Sequence, residues 1–436
     1  MCLLEFRKRA EKTSQRGTGV STAGELEPII LPAEARLLLA CALHRALIAP
    51  HDLRTLAGEV RDWPLVLEQA AHHLSLPVLR ERLVEIQDHI PPETMAELDH
   101  AVVVATAHNL QLGAIAAELN RSWFKPNQIR FALFKGVALA QRYYGSVSGR
   151  SCRDLDLLVS SKGFADTVAH LIGQGFRLTK PFELPADPAR HAAHIEAMCG
   201  LSREVSMRAP SGPMVDLHQS VDLTGADFPT EELLDRAETV TIAGETLPVF
   251  STADLFVYIC YHHSRHRWSR LHWIGDLGRI AAAPDFDVAA VRAQAKRAGL
   301  EKLVLACLEM PALLAGAVAG NWPAGPGLAA RMTRDCIRFL HPDSAPPELE
   351  RHDRDDDRLF RWRDWFATTA IEWRQREGLG RRARAVWRSL EPSWQAYRDL
   401  PLPKGLRWLY VPWRVAAHMV RYFPLPRFGR KDGKRG

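Results

Sequence analysis

The amino-acid sequence predicts an α+β protein: a small mixed β-sheet with flanking helices, plus helical regions at both ends of the chain. Over most of its length, apolar residues recur at three- and four-residue spacing, which is typical of packed helices. Between residues 129 and 223, short apolar runs bounded by turn residues indicate strands instead. A chain of 436 residues also exceeds what one hydrophobic core usually supports, so we expect several domains.

Helical periodicity begins near residue 34 and is interrupted at Pro64, Pro77 and the Pro91-Pro92 pair, which indicates several helices in a bundle. It returns after about Ala226. On this basis we divide the chain into five segments. They are a flexible lead (1–25), an N-terminal helical region (26–125), a core (126–225), a helical domain that lines the cleft (226–340) and a basic, tryptophan-rich C-terminal segment (341–436).

The core is predicted to alternate strands and helices. The runs "IRFALF" (129–134), "DLDLLVS" (154–160) and "PMVDLHQSVDL" (213–223) suit strands. Between them, "GVALAQRYY" (136–144) and "GFADTVAHLIGQGF" (163–176) suit helices, the second ending at a glycine. The result is a strand–helix–strand–helix–strand unit.

Seven scattered cysteines without a Cys-x-x-Cys pair argue against a disulfide framework and against a thiolate zinc site. The N-terminus lacks a signal-peptide pattern, and no apolar run approaches the roughly 18 residues of a membrane span. We therefore expect a cytoplasmic protein.

Charge is distributed unevenly along the chain. Residues 351–436 hold 21 Lys plus Arg against 10 Asp plus Glu, and seven of the twelve tryptophans, whereas residues 1–350 hold 36 against 41. Such a segment can contact the phosphates of nucleic acid or an anionic membrane surface. It can equally be a helical packing segment whose arginines face solvent.

Two aspartates interrupt the apolar strand "DLDLLV". Residues two apart on a strand share a face, so Asp154 and Asp156 point together. Convergent carboxylates can hold Mg²⁺, and Asp216, in the strand-like "MVDLH", would complete a two-metal site. Alternatively, Asp154 and Asp156 begin an ordinary strand and pair with Arg150 and Arg153, while Asp216 faces solvent.

The order of these motifs resembles a known family. The elements are "FKG" (134–136), "RYYG" (142–145), Arg150, "DLDLLV" (154–159), "VDLH" (215–218) and the later "HHSRHRWSRLHWIGDLGRI" (262–280). Together they resemble the uncharacterised nucleotidyltransferase family of bacterial proteins, over roughly residues 125–285. The layout is distantly similar to that of abortive-infection-type nucleotidyltransferase toxins.

The resemblance implies a nucleotidyltransferase-like core that uses Mg²⁺ or Mn²⁺ and a nucleoside triphosphate (NTP), ATP or another. It implies that Asp154 and Asp156 bind metal ions and that Asp216 assists a metal or the incoming hydroxyl. Gly136 would open a helix toward phosphate, and Lys135 would lie against the triphosphate. The wider superfamily has Gly-Ser at this turn, whereas this chain has Gly136 followed by Val137, so no hydroxyl is available there. Lys135 would otherwise be an exposed strand-end lysine.

Arg150 and three histidines complete the candidate residues. Arg150 would hold a phosphate or the aspartates, or brace its loop. His218 should share the face of Asp216 and touch a phosphate, the acceptor or a carboxylate. His262 and His266 have helical spacing that can bind zinc. Alternatively they join an aromatic network that lines the cleft, as a surface for a nucleotide base or as core packing; its other members would be Trp268, Arg270, Trp273 and Asp276.

The predicted reaction transfers a nucleoside monophosphate from an NTP to an acceptor hydroxyl and releases pyrophosphate. The acceptor is left open between a small molecule, a protein side chain and RNA. Two other functions remain: a non-catalytic nucleotide-binding accessory protein, and a nucleic-acid-binding protein that acts through its C-terminal segment.

Overall fold

The computed structural model describes residues 29–179, 182–222, 227–340, 370, 373–389, 394–410 and 412–413. The expected flexible lead lies outside these residues. The described helices are α1 Ala33–Ala42, α2 Pro50–Glu59, α3 Trp63–His72, α4 Leu76–Val84, α5 Pro92–Leu119, α6 Gly136–Tyr143, α7 Phe164–Gly173, α8 His191–Leu201, α9 Thr230–Asp235, α10 Thr252–Arg265, α11 Leu271–Ala281, α12 Val288–Ala298, α13 Glu301–Val318, α14 Leu328–Leu340, α15 Leu379–Ser389 and α16 Trp394–Asp399.

One seven-stranded mixed sheet forms the β-structure of the described chain. Its strand order is β3-β4-β5-β2-β1-β7-β6. The β1–β7 and β2–β5 pairs are parallel, and the other four pairs are antiparallel. The α+β prediction is thereby confirmed. The strands are β1 Phe131–Leu133, β2 Asp154–Val159, β3 Arg177–Leu178, β4 Glu204–Arg208, β5 Met214–His218, β6 Glu238–Ile242 and β7 Glu245–Val249.

The three predicted strands are present, but four further strands were missed. The periodicity placed a return to helix near residue 226, but only the six-residue helix α9 follows there, and the hairpin of β6 and β7 then extends the sheet beyond β1 before the longer helices begin. Strand β6 lies at the edge and buries only Ile242, so it lacks the apolar alternation that marks a strand. At the other edge, β3 is only two residues long.

Prolines open several N-terminal helices, as their positions predicted. Pro64, Pro77 and Pro92 stand in the first turns of α3, α4 and α5. Proline is tolerated there because the first helical N–H groups have no intrahelical acceptor. The prolines that interrupt the helical pattern in the sequence therefore mark the starts of helices.

The helices before and after the sheet bury one common hydrophobic core. Leu37, Leu39 and Leu53 from the N-terminal helices lie in the same cluster as Ile259 and Leu303 from the later ones. A second cluster holds the sheet against α7 and α8. The two helical regions, distant in sequence, are thus packed together on one side of the molecule.

Helix α5 continues through a π-helical turn to Phe124, and its length and composition would allow it to cross a membrane. It spans 33 residues, its most apolar window has a mean hydropathy of 1.3, and a third of that window is buried. The expectation that no apolar segment reaches this length overlooked it. Since a core helix of a soluble protein passes the same test, the finding is weak support for a membrane span.

Parts of the basic C-terminal segment pack into the protein. Arg376 is fully buried, with its Nε 2.6 Å from Asp227 Oδ2. Trp394 is 4% exposed and lies edge-on to His194 of α8. Trp387 and Trp408 are instead about two-thirds exposed, at 68% and 66%. Arg376 and Trp394 therefore favour the explanation that this segment packs against the protein. Trp387 and Trp408 favour the explanation that it contacts a partner surface.

We expect Arg376→Met to lower the free energy of unfolding by about 3 kcal/mol, because it leaves the carboxylate of Asp227 buried without its main counter-charge. Arg384→Met, at an exposed position on α15, is the matched control and should change stability little. Urea denaturation of both variants measures the difference. Equal losses would mean that the buried ion pair does not anchor this segment.

Candidate active site

The parallel pairing of β2 with β5 brings three carboxylates to one face of the sheet. Asp156 lies directly opposite Asp216, and Asp154 lies two residues earlier on β2. Partners in register on parallel strands project from the same face, as do residues two apart. Asp156 is 4% exposed, whereas Asp154 and Asp216 are half-buried.

Lys135 follows β1 and reaches the sheet face that carries these three aspartates, which we call the carboxylate face. It precedes the first residue of α6, and its Nζ lies 2.9 Å from Asp156 Oδ1. The side chains are 18% and 4% exposed. Burial disfavours both charges, but their mutual attraction outweighs it and holds the pKa of Asp156 well below, and that of Lys135 well above, the usual range. Lys135 is therefore a buried counter-ion of Asp156.

Gly136 allows the chain to turn between Lys135 and α6. Its φ of +54° lies in the left-handed region, and a Cβ there would come 3.0 Å from the backbone oxygen of Asp154. Helix α6 begins at Gly136, as predicted. The glycine thus sets both the start of the helix and its close approach to β2.

His218 lies between two carboxylates. Its Nε2 is 3.3 Å from Asp156 Oδ1 and its Nδ1 is 3.4 Å from Glu204 Oε2. The Nε2 contact lacks hydrogen-bond geometry and is an ion pair only when the imidazole is protonated. Burial lowers the pKa of His218, but Glu204 and Asp156 more than compensate, so the pKa is raised. Among its anticipated roles, His218 takes the contact with a carboxylate.

The sequence analysis missed Glu204. Strand β4 pairs antiparallel with β5 and sets Glu204 opposite His218 and Ser206 opposite Asp216. The signal was present in the alternation of buried Val205 and Met207 with more exposed neighbours, but the run is only five residues long.

The charge on this face is incompletely balanced. Asp216 Oδ1 is buried and has no hydrogen-bond partner within the described residues. Burial, together with Glu204 and the other two aspartates, raises the pKa of Asp216 to about 8. Burial and Asp156 raise the pKa of Asp154 to about 6. A bound cation would relieve this excess of negative charge, so the donor set fits Mg²⁺ or Mn²⁺ chemically.

The same residues do not form a closed metal cage. Over the described ranges, no group of three or more His, Cys, Asp or Glu side chains is arranged to hold a metal ion. Mg²⁺ commonly takes one or two protein carboxylates and completes its shell with water and substrate phosphates. The carboxylate face suits a cation that is shared with a phosphate ligand.

Arg150 does not contact the aspartates. It is 5% exposed, and its Nε and Nη2 donate to the two carboxylate oxygens of Asp276 at 2.8 and 2.9 Å. Tyr144 donates to the same carboxylate, and Asn109 Nδ2 donates to the backbone oxygens of Val147 and Arg150 at 2.6 Å each. This bidentate pair engages Nε and Nη2, and Nη1 donates to the backbone oxygen of Ser151 at 3.2 Å. Of the anticipated roles, Arg150 takes that of bracing the loop before β2.

An aromatic and imidazole wall lies on α10 and α11, with Lys135 within electrostatic reach. We define it by His262, His263, His266 and Trp273. The His263 ring stacks on Trp273 with centroids 4.7 Å apart, and the rings of His262 and His266 are 4.8 Å apart. His263 is buried, whereas the other three are part-exposed. The wall therefore has one buried ring, that of His263, and three rings that are partly accessible to a ligand.

The imidazoles of this wall are uncharged. Burial lowers the pKa of His262 and His263 well below the usual value and that of His266 to about 3, and the positive charge of Lys135 adds to each shift. Neutral imidazoles and an indole offer flat, polarisable surfaces on which a nucleotide base can stack.

A profile of the family described as uncharacterised nucleotidyltransferase matches residues 59–316, more than half of the chain. No curated protein matches. Among solved structures, the chain is similar to an antigenic nucleotidyltransferase-like protein from Paracoccidioides brasiliensis, with 17% identity and a TM-score of 0.28. That similarity covers 44% of this chain and 92% of the other.

In metal-free protein, we expect Asp216→Asn to be stabilising at high pH. A carboxyl whose folded pKa is raised to about 8 contributes stability below its unfolded pKa of about 4, and this is lost as the pH rises toward 8. The asparagine does not ionise, so the variant should melt roughly 2 °C or more above the native protein at pH 8.5 and nearly level with it at pH 4.

Thermal unfolding in EDTA measures this difference. Asp166→Asn, at an exposed position on α7, is the matched control and should follow the native protein at both pH values. If Asp216→Asn changed the melting temperature by the same amount at pH 4 and at pH 8.5, the raised pKa of Asp216 would be contradicted.

Proposed function

The chain belongs to the uncharacterised nucleotidyltransferase family, and from that premise we propose that it transfers a nucleoside monophosphate from an NTP to an acceptor hydroxyl. The observation that carries the proposal is the convergence of Asp154, Asp156 and Asp216 on one sheet face, beside the buried cation of Lys135. This arrangement supplies both the negative charge that binds a divalent ion and a positive charge for phosphate.

The oxygen of the acceptor attacks the α-phosphorus of the NTP in this reaction. A new O–P bond forms, and the bond from the α-phosphorus to the oxygen that bridges it to the β-phosphorus breaks. Pyrophosphate leaves with the electron pair of that bond, and the acceptor loses its proton. Positioning and electrostatic stabilisation supply most of the catalysis in such a phosphoryl transfer.

Asp154 and Asp156 would hold the divalent ion, Mg²⁺ or Mn²⁺. When bound, such an ion neutralises charge on the phosphates and favours ionisation of the attacking hydroxyl. Asp216, whose side chain is half-buried, would accept the acceptor's proton. A carboxylate whose pKa is raised to about 8 is a stronger base than an ordinary aspartate, which suits proton transfer near neutral pH.

Lys135 would place its ammonium group against the triphosphate while it keeps its contact with Asp156. His218, itself in contact with Glu204, would help to hold the Asp156 carboxylate in place through the same oxygen, Oδ1. The backbone N–H groups at the start of α6, opened by Gly136, would meet phosphate oxygens. Arg150 would act only indirectly, through the loop that leads into β2.

Asp156→Asn should reduce transfer by roughly 100-fold or more, because it removes a carboxylate that would hold the divalent ion and thereby weakens neutralisation of the phosphate charge. The assay incubates purified protein with each α-labelled NTP, Mg²⁺ or Mn²⁺ and a lysate, and follows label transfer and pyrophosphate release. Asp166→Asn, the exposed control, should retain activity.

Three outcomes of this assay separate the candidate functions. Label on a lysate component that depends on Asp156 supports the transferase and identifies the acceptor as a small molecule, protein or RNA. Absence of transfer with every NTP, while calorimetry still detects NTP binding, would favour a non-catalytic nucleotide-binding protein. Absence of both would refute the proposal.

Exposed Trp387 and Trp408 in the basic segment favour a large anionic acceptor such as RNA, because basic and aromatic side chains together bind phosphates and bases. RNA binding that falls steeply with salt and is lost on removal of residues 351–436 would support this route. RNA binding insensitive to the removal would mean that the acceptor docks elsewhere or that this segment serves packing alone.

Trp273→Ala should raise the KM for the NTP roughly 5- to 10-fold, the equivalent of about 1 kcal/mol of lost base stacking. Trp273→Phe should restore most of this affinity, because it keeps an aromatic face. His100→Ala, which removes an exposed ring on α5, is the control. A kcat decrease for Trp273→Ala with unchanged KM would argue against base contact at the wall.

A further inference from the structure

The Asp156 carboxylate is already engaged by the protein itself. Its Oδ1 lies 2.9 Å from Lys135 Nζ and 3.3 Å from His218 Nε2. In the two-metal site expected from sequence, this aspartate would be one of three carboxylates that hold two ions. One of its two oxygens is therefore occupied before any metal ion binds.

Lys135 is held in this place by its surroundings. Its backbone precedes Gly136, which has a positive φ and packs so close to β2 that an added Cβ would come 3.0 Å from the backbone oxygen of Asp154, so this turn has little freedom. Its Nζ also lies 5.3 Å from the centre of the Phe134 ring, a cation–π distance. The side chain is only 18% exposed, so few solvent-facing positions are open to it.

The groups left for a metal ion suffice for one. Asp154 is half-buried and makes no ion pair in the described structure, and Asp156 keeps its second oxygen. Three-ligand clusters are absent from the described ranges. Two carboxylates and phosphate oxygens are an adequate ligand set for Mg²⁺. Asp216 then stays free to accept a proton.

We propose that the site takes one divalent ion per bound nucleotide and that the ammonium group of Lys135 serves in place of a second ion. The inference rests on the proposed function, since it concerns the same carboxylates. It departs from the two-metal arrangement that the three aspartates suggested by themselves. In a two-metal site both ions neutralise transferring phosphate, whereas here a fixed side chain would supply one of the two cations.

The test counts Mn²⁺ ions. Native protein is dialysed to equilibrium against Mn²⁺ and an ATP analogue with a methylene group between the α- and β-phosphates, which cannot be cleaved there. Protein-bound Mn²⁺ and nucleotide are then measured. If the analogue does not bind, the corresponding analogues of the other three NTPs are used. The readout is the ratio of bound Mn²⁺ to bound nucleotide, which does not require turnover.

We expect a ratio of about one for the native protein and about two for Lys135→Met, which removes the ammonium group from Asp156 Oδ1 and leaves only the longer His218 contact at that oxygen. Lys135→Arg keeps the positive charge and should stay near one. Lys162→Met, at an exposed position after β2, should match the native protein. If Lys135→Met does not fold, the native ratio and the arginine variant still decide the question.

A native ratio of two would overturn the inference while leaving the transferase proposal intact, as would a Lys135→Met ratio of one. Protein that binds neither Mn²⁺ nor any of the analogues would refute both proposals. A native ratio of one in protein that transfers no label would retain the one-ion site and refute only the transferase.

Discussion

The parallel register of β2 and β5 sets the charge distribution on which the candidate site depends. It aligns Asp156 with Asp216 and thereby concentrates three carboxylates on one face of the sheet. Carboxylates this close and this buried cannot all ionise without compensation. Lys135 compensates Asp156, while the raised pKa values of Asp154 and Asp216 express the charge that remains. The pairing of β2 with β5 therefore places negative charges so close together that cations are needed to balance them.

Contacts from several parts of the chain hold the elements that carry this face in place. The Arg150–Asp276 pair and Asn109 hold the loop that enters β2. Strand β4 covers the far side of β5 and brings Glu204 to His218. The helical regions that precede and follow the sheet share a core, which positions α10 and α11 as a wall beside Lys135. Charge, support and an aromatic surface therefore come from different parts of the chain.

Local patterns anticipated much of this fold. Asp154 and Asp156 could be assigned to one face because a strand alternates with a period of two. The three core strands, α6 and the helices opened by Pro64, Pro77 and Pro92 were recognised for similar reasons. The β6–β7 hairpin was not, because an edge strand that faces solvent lacks that alternation. Glu204 was overlooked because the five residues of β4 were not recognised as a strand.

The sequence by itself determined the fold class, the pairing of two carboxylates on one strand face and the family, because these depend on local periodicity and on motif order. The tertiary structure alone decided the partners of the charged groups. Arg150 meets Asp276, 126 residues away, and not the nearby aspartates. Lys135 meets Asp156 across the β1–β2 pair, and His218 meets Glu204 across β4 and β5. The physical reason is that an ion pair depends on distance in space, which chain separation does not specify.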